Sequence, residues 1–397
     1  MKIYLLINIF TWNKLKMNNF NFNEIIIKKE FQKLILILLL CFLNDINDKN
    51  KSYKFNKSFY DKEVNLININ YTIEQYKIKG LNYLNNIKKS KINNITKQIN
   101  NPKISIIIPI YNCQNTIELT FKSIHFQTLK EIEIVLVNDL SFDNSSHIIE
   151  KLKYFDKRIN IINNKRNMGT LYSRCIGCLK AKGEYLICLD NDDLFLFEEI
   201  LNTLYINAKK NYFDIVESKS FVIHNYNPKY EDISIGAFNS HPDNLILHQP
   251  ELGKFPLSMN NKIALTDHYI WGKCIRAIIY KKAINALGKK RYSIYNCWTE
   301  DMTMVLVLFN IANSFIFLKL FGIFHFRGKE TTTNRLTNNH KLLSDIFFFG
   351  VFFDFTKNDY IEKNYVAEYA LKFSINNIIY LDNNQKNLFL SIINKVN

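Results

Sequence analysis

The chain has 397 residues, enough for two or three domain-sized units and a sizeable core. Its 47% hydrophobic and 22% charged residues exclude wholesale disorder and a collagen-like fibre. Lys+Arg (52) outnumber Asp+Glu (36), and the resulting +16 raises a nucleic-acid or membrane-surface partner. The distribution of that charge argues against nucleic acid. Residues 1–100 hold 17 Lys, no Arg and 7 acids, a net +10. All seven Arg, the better fork for phosphates and bases, lie between 158 and 335.

In chain order, residues 1–50 form an apolar and basic segment. Leu34–Leu43 is a ten-residue apolar run preceded by Lys28, Lys29 and Lys33. As a helix it spans about 15 Å, half a hydrocarbon core of ~30 Å. It reads either as a signal anchor with a basic cytosolic flank or as a buried helix. Localisation stays open between a membrane-associated protein of the secretory pathway and a cytoplasmic one. Residues 51–101, rich in Asn, Lys and Ile, read as a polar, partly helical stalk or linker.

The texture changes at Pro102. Lys103–Ile108 is a β-branched run that predicts a buried strand closed by Pro109. A helix follows over 115–126, with Ile117, Phe121 and Ile124 at helical spacing. Strands are expected at 131–137, 158–163, 184–189 and 213–217, and helices at 143–155, 169–182 and 194–210. This alternation predicts a doubly wound α/β sheet with its ligands at the carboxyl ends of the strands. Tyr111, Asn112, Asp139, Asn167 and Asp190–Asp193 gather at those ends. No GxGxxG follows the first strand and no GxxxxGK[ST] occurs, which disfavours dinucleotide and P-loop sites. Seven cysteines, an odd number in a long chain, argue against a disulfide framework. Tyr230–Lys262 reads as an irregular acceptor-side loop or lid, and 331–397 as a helical C-terminal segment.

Three acidic sites can carry chemistry. Asp190-Asn191-Asp192 ends an apolar strand, and residues i and i+2 of an extended segment project to the same side. Two like charges so placed repel unless one is protonated or a cation lies between them, and a hard divalent ion shared with substrate phosphates fits that place. The alternative is a solvated acidic loop capping a helix that starts near Leu194. Asp139, after the second strand, either accepts from a nucleobase or ribose or satisfies loop amides. Glu300-Asp301 precedes the apolar run Met302–Phe309, either as a positioned general base or as two acids at a helix N-terminus.

The segments PKISIIIPIYNCQNTI (102–117), EIEIVLVNDLSFDNSS (131–146), NKRNMGTLYSRCIGCLKAKGEYLICLDNDDLF (164–195), IWGKC (270–274) and TEDMTM (299–304) resemble family 2 glycosyltransferases. The resemblance spans roughly 102–330. It implies a GT-A fold, here a doubly wound mixed sheet flanked by helices. It also implies a hexosyltransferase-type enzyme that uses a UDP- or GDP-sugar and Mn²⁺ or Mg²⁺ and inverts the anomeric centre. The acceptor class stays open among glycan, lipid and protein. Position by position, Pro109, Tyr111 and Asn112 fall in the nucleotide-binding loop. Asp139 falls at the base, and Arg174 and Asp190 at the nucleotide-sugar. Asp190 and Asp192 match the metal pair, while Asp301, with Glu300 beside it, matches the base. His325 and Arg327 are candidates for the diphosphate, with Lys165 and Arg166 as further cations; Trp271 is an acceptor wall or a core residue, and Lys273 completes the family's WxK element.

Three positions depart from the family pattern: Asn138 replaces the first acid of its Asp-Asp pair, Leu140 the usual Gly, and Cys175 the Asn that commonly follows the Arg at 174. The first two motivate a second reading, a non-catalytic membrane-peripheral protein on the same fold, tethered through its basic N-terminus. No QxxRW signature or array of spans points to a processive synthase.

Overall fold

A computed structural model describes residues 66–67, 69–236, 243–249, 269–296 and 298–328, with Leu252 and scattered positions from 344 to 355. Leu34–Leu43, most of 250–268 and nearly all of 331–397 lie outside the described residues, and so do the readings placed there. Among the described residues no helix is long and apolar enough to cross a membrane.

The first described helix, α1 (Ile73–Lys89), opens with a capping box. Thr72 Oγ1 accepts from the Gln75 backbone, and Gln75 Oε1 accepts from the Thr72 backbone. This helix lies within the stretch expected to be a stalk, yet Tyr76, Leu84 and Ile87 are buried in the core. Its i, i+4 apolar spacing gives it a face that packs instead of hanging free.

β1 (Ile104–Ile110) runs through Pro109, which pairs in register with Val137 of β2 (Ile132–Asn138). Between them lies α2 (Ile117–His125). α3 (Ser145–Phe155), β3 (Ile159–Asn163), α4 (Thr170–Lys180) and β4 (Tyr185–Cys188) follow. Leu194 was expected to open a helix. Instead Leu194–Phe195 is a short strand, β5, and α5 begins at Ile200 and ends at Asn211. The reason is tertiary: Leu194 and Phe195 pair with Phe324 and Ile323, and Leu194–Phe197 are all buried. A short apolar run carries no period that separates strand from helix.

β6 (Ile215–Ile223) extends well past the expected end at 217. β7 (Ser234–Ile235) and β8 (Leu245–His248) follow, and β8 places a regular strand inside the segment expected to be irregular. The remaining elements are β9 (Lys273–Arg276), α6 (Ala277–Leu287), α7 (Lys289–Tyr292), α8 (Glu300–Ile311) and β10 (Ser314–Phe326).

The strands form one mixed sheet in the order β3-β2-β1-β4-β9-β6-β10-β5, with β7 on β6 and β8 on β10. β1 to β4 are parallel and β9 is antiparallel to both neighbours. Two apolar layers cover the sheet. One holds α4, α6 and α8; the other holds α1, α2 and α5. β1 and β2 are buried along their whole length, as a sheet covered on both faces requires. The layers leave the carboxyl ends of β1, β2 and β4 side by side, with the start of α8 beside them.

Candidate active site

The loops after β1, β2 and β3 are laced together. Asn112 accepts the Phe142 N–H at 3.0 Å, and its own N–H donates to Ser141 Oγ. Asn138 donates to Ser146 and Asn163 and accepts the Ser141 N–H at 3.1 Å. The amide thus satisfies this turn from within. Leu140 takes the left-handed conformation (φ 61°) that the family's glycine would adopt freely. Asp139, only 4% exposed, accepts from Asn164 Nδ2 (2.7 Å), the Met168 N–H (2.9 Å) and the Gly169 N–H (2.7 Å). Its carboxylate braces the turn into α4. Burial raises its pKa, and these donors oppose the shift. Gly169 must stay small: its φ is +86°, and a Cβ would meet the Asn296 backbone at 3.1 Å.

Tyr111 is 38% exposed and makes edge-on contact with the exposed Phe142 ring. Pro109 lies inside β1, and its carbonyl accepts from Asn191 Nδ2 at 2.8 Å. That bond ties the 190–192 loop to the loop after β1.

The centre of the site is Arg174 on α4, 2% exposed. Expected at the nucleotide-sugar, it is bound to three carboxylates. Nη2 donates to Asp190 Oδ1 at 2.5 Å, Nη1 donates to Asp301 Oδ1, and Glu300 Oε1 lies 3.6 Å from Nη1. Burial disfavours the guanidinium charge, but Asp301, Asp190 and Glu300 outweigh it and raise the pKa. Glu300 and Asp301 occupy the first turn of α8, where the helix dipole favours negative charge. Burial raises both carboxyls and Arg174 opposes the shift; each acid also raises its neighbour or is raised by Asp190. Three acids around one cation keep a proton among them more readily than isolated acids do.

On the other side of the loop, Asp192 is pushed well up, first by burial and then by Asp193 and Asp190. Tyr226 Oη donates to the Asp192 carbonyl at 2.7 Å, and Tyr226 stacks on Phe326 at 4.4 Å. Asp193, fully buried, faces His325 Nδ1 at 3.0 Å and accepts the Phe326 N–H at 2.9 Å. His325 stacks on Trp271 at 4.7 Å, and Trp271 on Tyr269 at 4.6 Å. Trp271, 6% exposed, is thus mostly core and supports the histidine ring. Lys273 is fully buried; it donates to the Tyr269 carbonyl and pairs with Glu217 at 3.0 Å. Arg327 is exposed, with Nη2 3.4 Å from Tyr269 Oη. Lys165 and Arg166 are exposed on the loop after β3.

The structure therefore gathers Asp190, Asp192, Glu300, Asp301, Arg174 and His325 at one end of the sheet. Tyr111 and Asn112 form an adjoining rim. Tyr226 and Glu217 carry no motif that marks them in the sequence. Asp193 is marked only as one acid of the 190–193 run, and nothing in the sequence reveals its pairing with His325, 132 residues away.

Among the described residues no group of three or more His, Cys, Asp or Glu is arranged to hold a metal ion. The donor chemistry nevertheless fits a hard divalent ion. Half-buried Asp192 lies beside two further acids, and such an ion is commonly held by one or two carboxylates plus substrate phosphates.

The profile of Glycosyl transferase family 2 matches residues 105–248. Over 140 residues the chain is 35% identical to the Escherichia coli UDP-Glc:alpha-D-GlcNAc-diphosphoundecaprenol beta-1,3-glucosyltransferase WfaP, covering 35% of this chain and 52% of that protein. It is 39% identical over 120 residues to the cholesterol galactosyltransferase of Borreliella burgdorferi, covering 30% and 33%. The aligned part thus spans about half or less of these relatives. In fold, the chain is similar to S. aureus TarS 1-349, solved in complex with UDP. The TM-score is 0.51 at 17% identity, over 74% of this chain and 80% of that one.

Proposed function

We infer, from a chain whose residues 105–248 belong to glycosyl transferase family 2, that it moves a sugar from a nucleoside-diphosphate-sugar to an acceptor hydroxyl with inversion. One observation carries this reading. A single buried guanidinium joins the strand-end acid Asp190 to Asp301 at the start of α8, 127 residues from Arg174 in sequence. Donor-side and acceptor-side acids are thereby held in one rigid cluster.

In this reading Asp301 is the general base. As the acceptor oxygen attacks the anomeric carbon, Asp301 takes the hydroxyl proton. The bond to the diphosphate breaks on the opposite face, and the leaving group takes the bonding electrons. One displacement needs one base and no second nucleophile. Arg174 aligns Asp301, and Glu300 shares the cluster's charge. The departing diphosphate gathers negative charge, and His325 and Arg327, at the end of β10, are placed to meet it. Asp192 and Asp190 would hold a Mn²⁺ or Mg²⁺ ion, which when bound offsets charge on the phosphates. Tyr111 and Asn112 shape the nucleotide end, and Asp139 acts through the turn it braces.

A UDP-sugar donor is supported by the name of the E. coli relative. The acceptors named for the two relatives differ, a diphosphoundecaprenol-linked sugar and cholesterol. Acceptor class therefore does not follow from the family. The satisfied turn at Asn138 and the left-handed Leu140 keep the loop geometry intact, so neither departure favours a non-catalytic protein.

The test is a panel of UDP- and GDP-sugars assayed for transfer or slow hydrolysis, with Mn²⁺, with Mg²⁺ and with chelator. Release of nucleoside diphosphate that depends on metal and is lost in Asp301→Asn supports the assignment. Full release by that variant would remove Asp301 as the base, and silence across the panel would overturn the reading.

A further inference from the structure

His325 has a fixed ring. Nδ1 lies 3.0 and 3.2 Å from the two oxygens of Asp193, whose Oδ1 also accepts the Phe326 N–H. With Asp193 facing it, Nδ1 is the ring nitrogen assigned a proton, as Nδ1–H. The ring plane is set by Trp271, 17° from parallel, and Tyr269 backs Trp271 in turn. With Nδ1 engaged, Nε2 has no protein partner among the described residues.

We propose that Asp193 is a positioning residue for the donor site: by accepting from Nδ1–H it fixes the orientation of His325, so that Nε2, once protonated, donates to the donor's diphosphate. This rests on the transferase reading above and adds to it the residue that makes His325 competent. The carboxylate–imidazole pair, not the histidine alone, is the functional unit, in the way that a partner carboxylate tunes many ligand histidines.

Three features of the fold support the pairing. Asp193 is the last acid of the 190–193 run and directly precedes β5. β5 in turn pairs with β10 through Leu194 and Phe324, so the strand contact itself brings Asp193 to His325. Asp193 has no exposure to solvent, and a buried carboxylate is kept only where it has partners. Burial works against a charged His325 ring, but Asp193 outweighs it, with Asp190 and Asp192 adding to the same effect.

The experiment is a double-mutant cycle on the full chain. Asp193→Ala, His325→Ala and the pair are compared for UDP affinity by calorimetry with Mn²⁺ and for donor KM and kcat. Asp193→Asn, which keeps an acceptor for Nδ1–H and the Phe326 N–H, serves as the conservative variant. The expected result is that Asp193→Ala weakens UDP binding and raises donor KM roughly tenfold or more. The double variant then loses no more than His325→Ala alone, and Asp193→Asn recovers most of the binding. Additive losses, or an Asn variant as weak as the Ala variant, would overturn the proposal.

A second measurement separates this proposal from the transferase reading. ¹⁵N NMR of the ligand-free protein reports the His325 tautomer directly. An Nδ1–H signal present in wild type and lost in Asp193→Ala supports the lock even where no UDP or GDP binds, a result that would sink only the transferase reading. A His325 tautomer unchanged by Asp193→Ala refutes the lock whatever the nucleotide result.

Discussion

Arg174 and Asp190 are joined at 2.5 Å, Nη2 to Oδ1, inside a site where the same guanidinium also binds Asp301. Two acids from distant segments thus share one cation. Lys keeps the charge but cannot present two donors in a planar fork. Arg174→Lys is therefore expected to lower kcat by roughly 10²-fold, the loss typical of misplacing one key electrostatic group. Circular dichroism and a thermal melt should show a folded protein. Near-wild-type kcat in Arg174→Lys would show that bridging the two acids is not required.

Asp301 and Glu300 are both raised by burial, yet they should respond differently to substitution. Asp301→Asn removes the base and should cost roughly 10²–10⁴-fold in kcat. Glu300→Gln keeps a polar side chain beside Arg174 and should retain more activity. Stability gives the sharper contrast. A carboxyl whose folded pKa is raised binds its proton more tightly in the folded state. The folded state then binds more protons than the unfolded state at pH values above the ordinary carboxylate pKa, so stability falls as pH rises there. Glu300→Gln cannot titrate. Its melting temperature relative to wild type should climb as pH is raised from 5 to 8, and a constant difference would contradict the raised Glu300 pKa.

Leu140 sits at φ 61° and is 53% exposed, so its side chain contributes little burial to offset the backbone strain. A left-handed non-glycine residue costs roughly 1–2 kcal/mol. Replacement by glycine relieves that strain but adds freedom to the unfolded chain. The expected outcome is a small gain or no change in melting temperature for Leu140→Gly. Leu140→Val, branched at Cβ, should be less stable than wild type. The reverse order would mean that the turn is not held in this conformation.

Much of this organisation was legible from the residues. The β-branched runs at 103–108 and 131–137 announced buried strands, and Asp190-Asn191-Asp192 and Glu300-Asp301 announced the acids. What stayed hidden was pairing across the chain. Arg174 reads as one more cation after a glycine until the fold brings α4 beneath α8. The Leu194 stretch reads as helix because four apolar residues in a row show no period, and only the partner strand β10 settles it. Trp271 and Lys273 could be placed by motif, but their burial against His325 and Glu217 depends on β9 lying between β4 and β6.

Asp156, fully buried between α3 and β3, faces His125 Nδ1 at 3.0 Å. It also accepts from Arg158 Nη2 at 2.7 Å and from the Arg158 N–H at 3.1 Å. Its backbone forms a bridge with Ile95, which pins the segment after α1 to the domain. Burial alone would raise this carboxyl, but the hydrogen bonds from His125 and Arg158 win and hold it at about 2. A depressed folded pKa contributes stability that is present above the ordinary Asp value and is lost as pH falls toward 2. Asp156→Ala leaves Arg158 buried without its counter-ion and should cost about 3–5 kcal/mol at pH 7. Urea unfolding at pH 7 and pH 3 checks both parts. The gap between variant and wild type should be widest at pH 7 and should narrow at pH 3 as wild type begins to lose the ion pair. A gap of equal size at both values would assign the loss to packing rather than to the charged network.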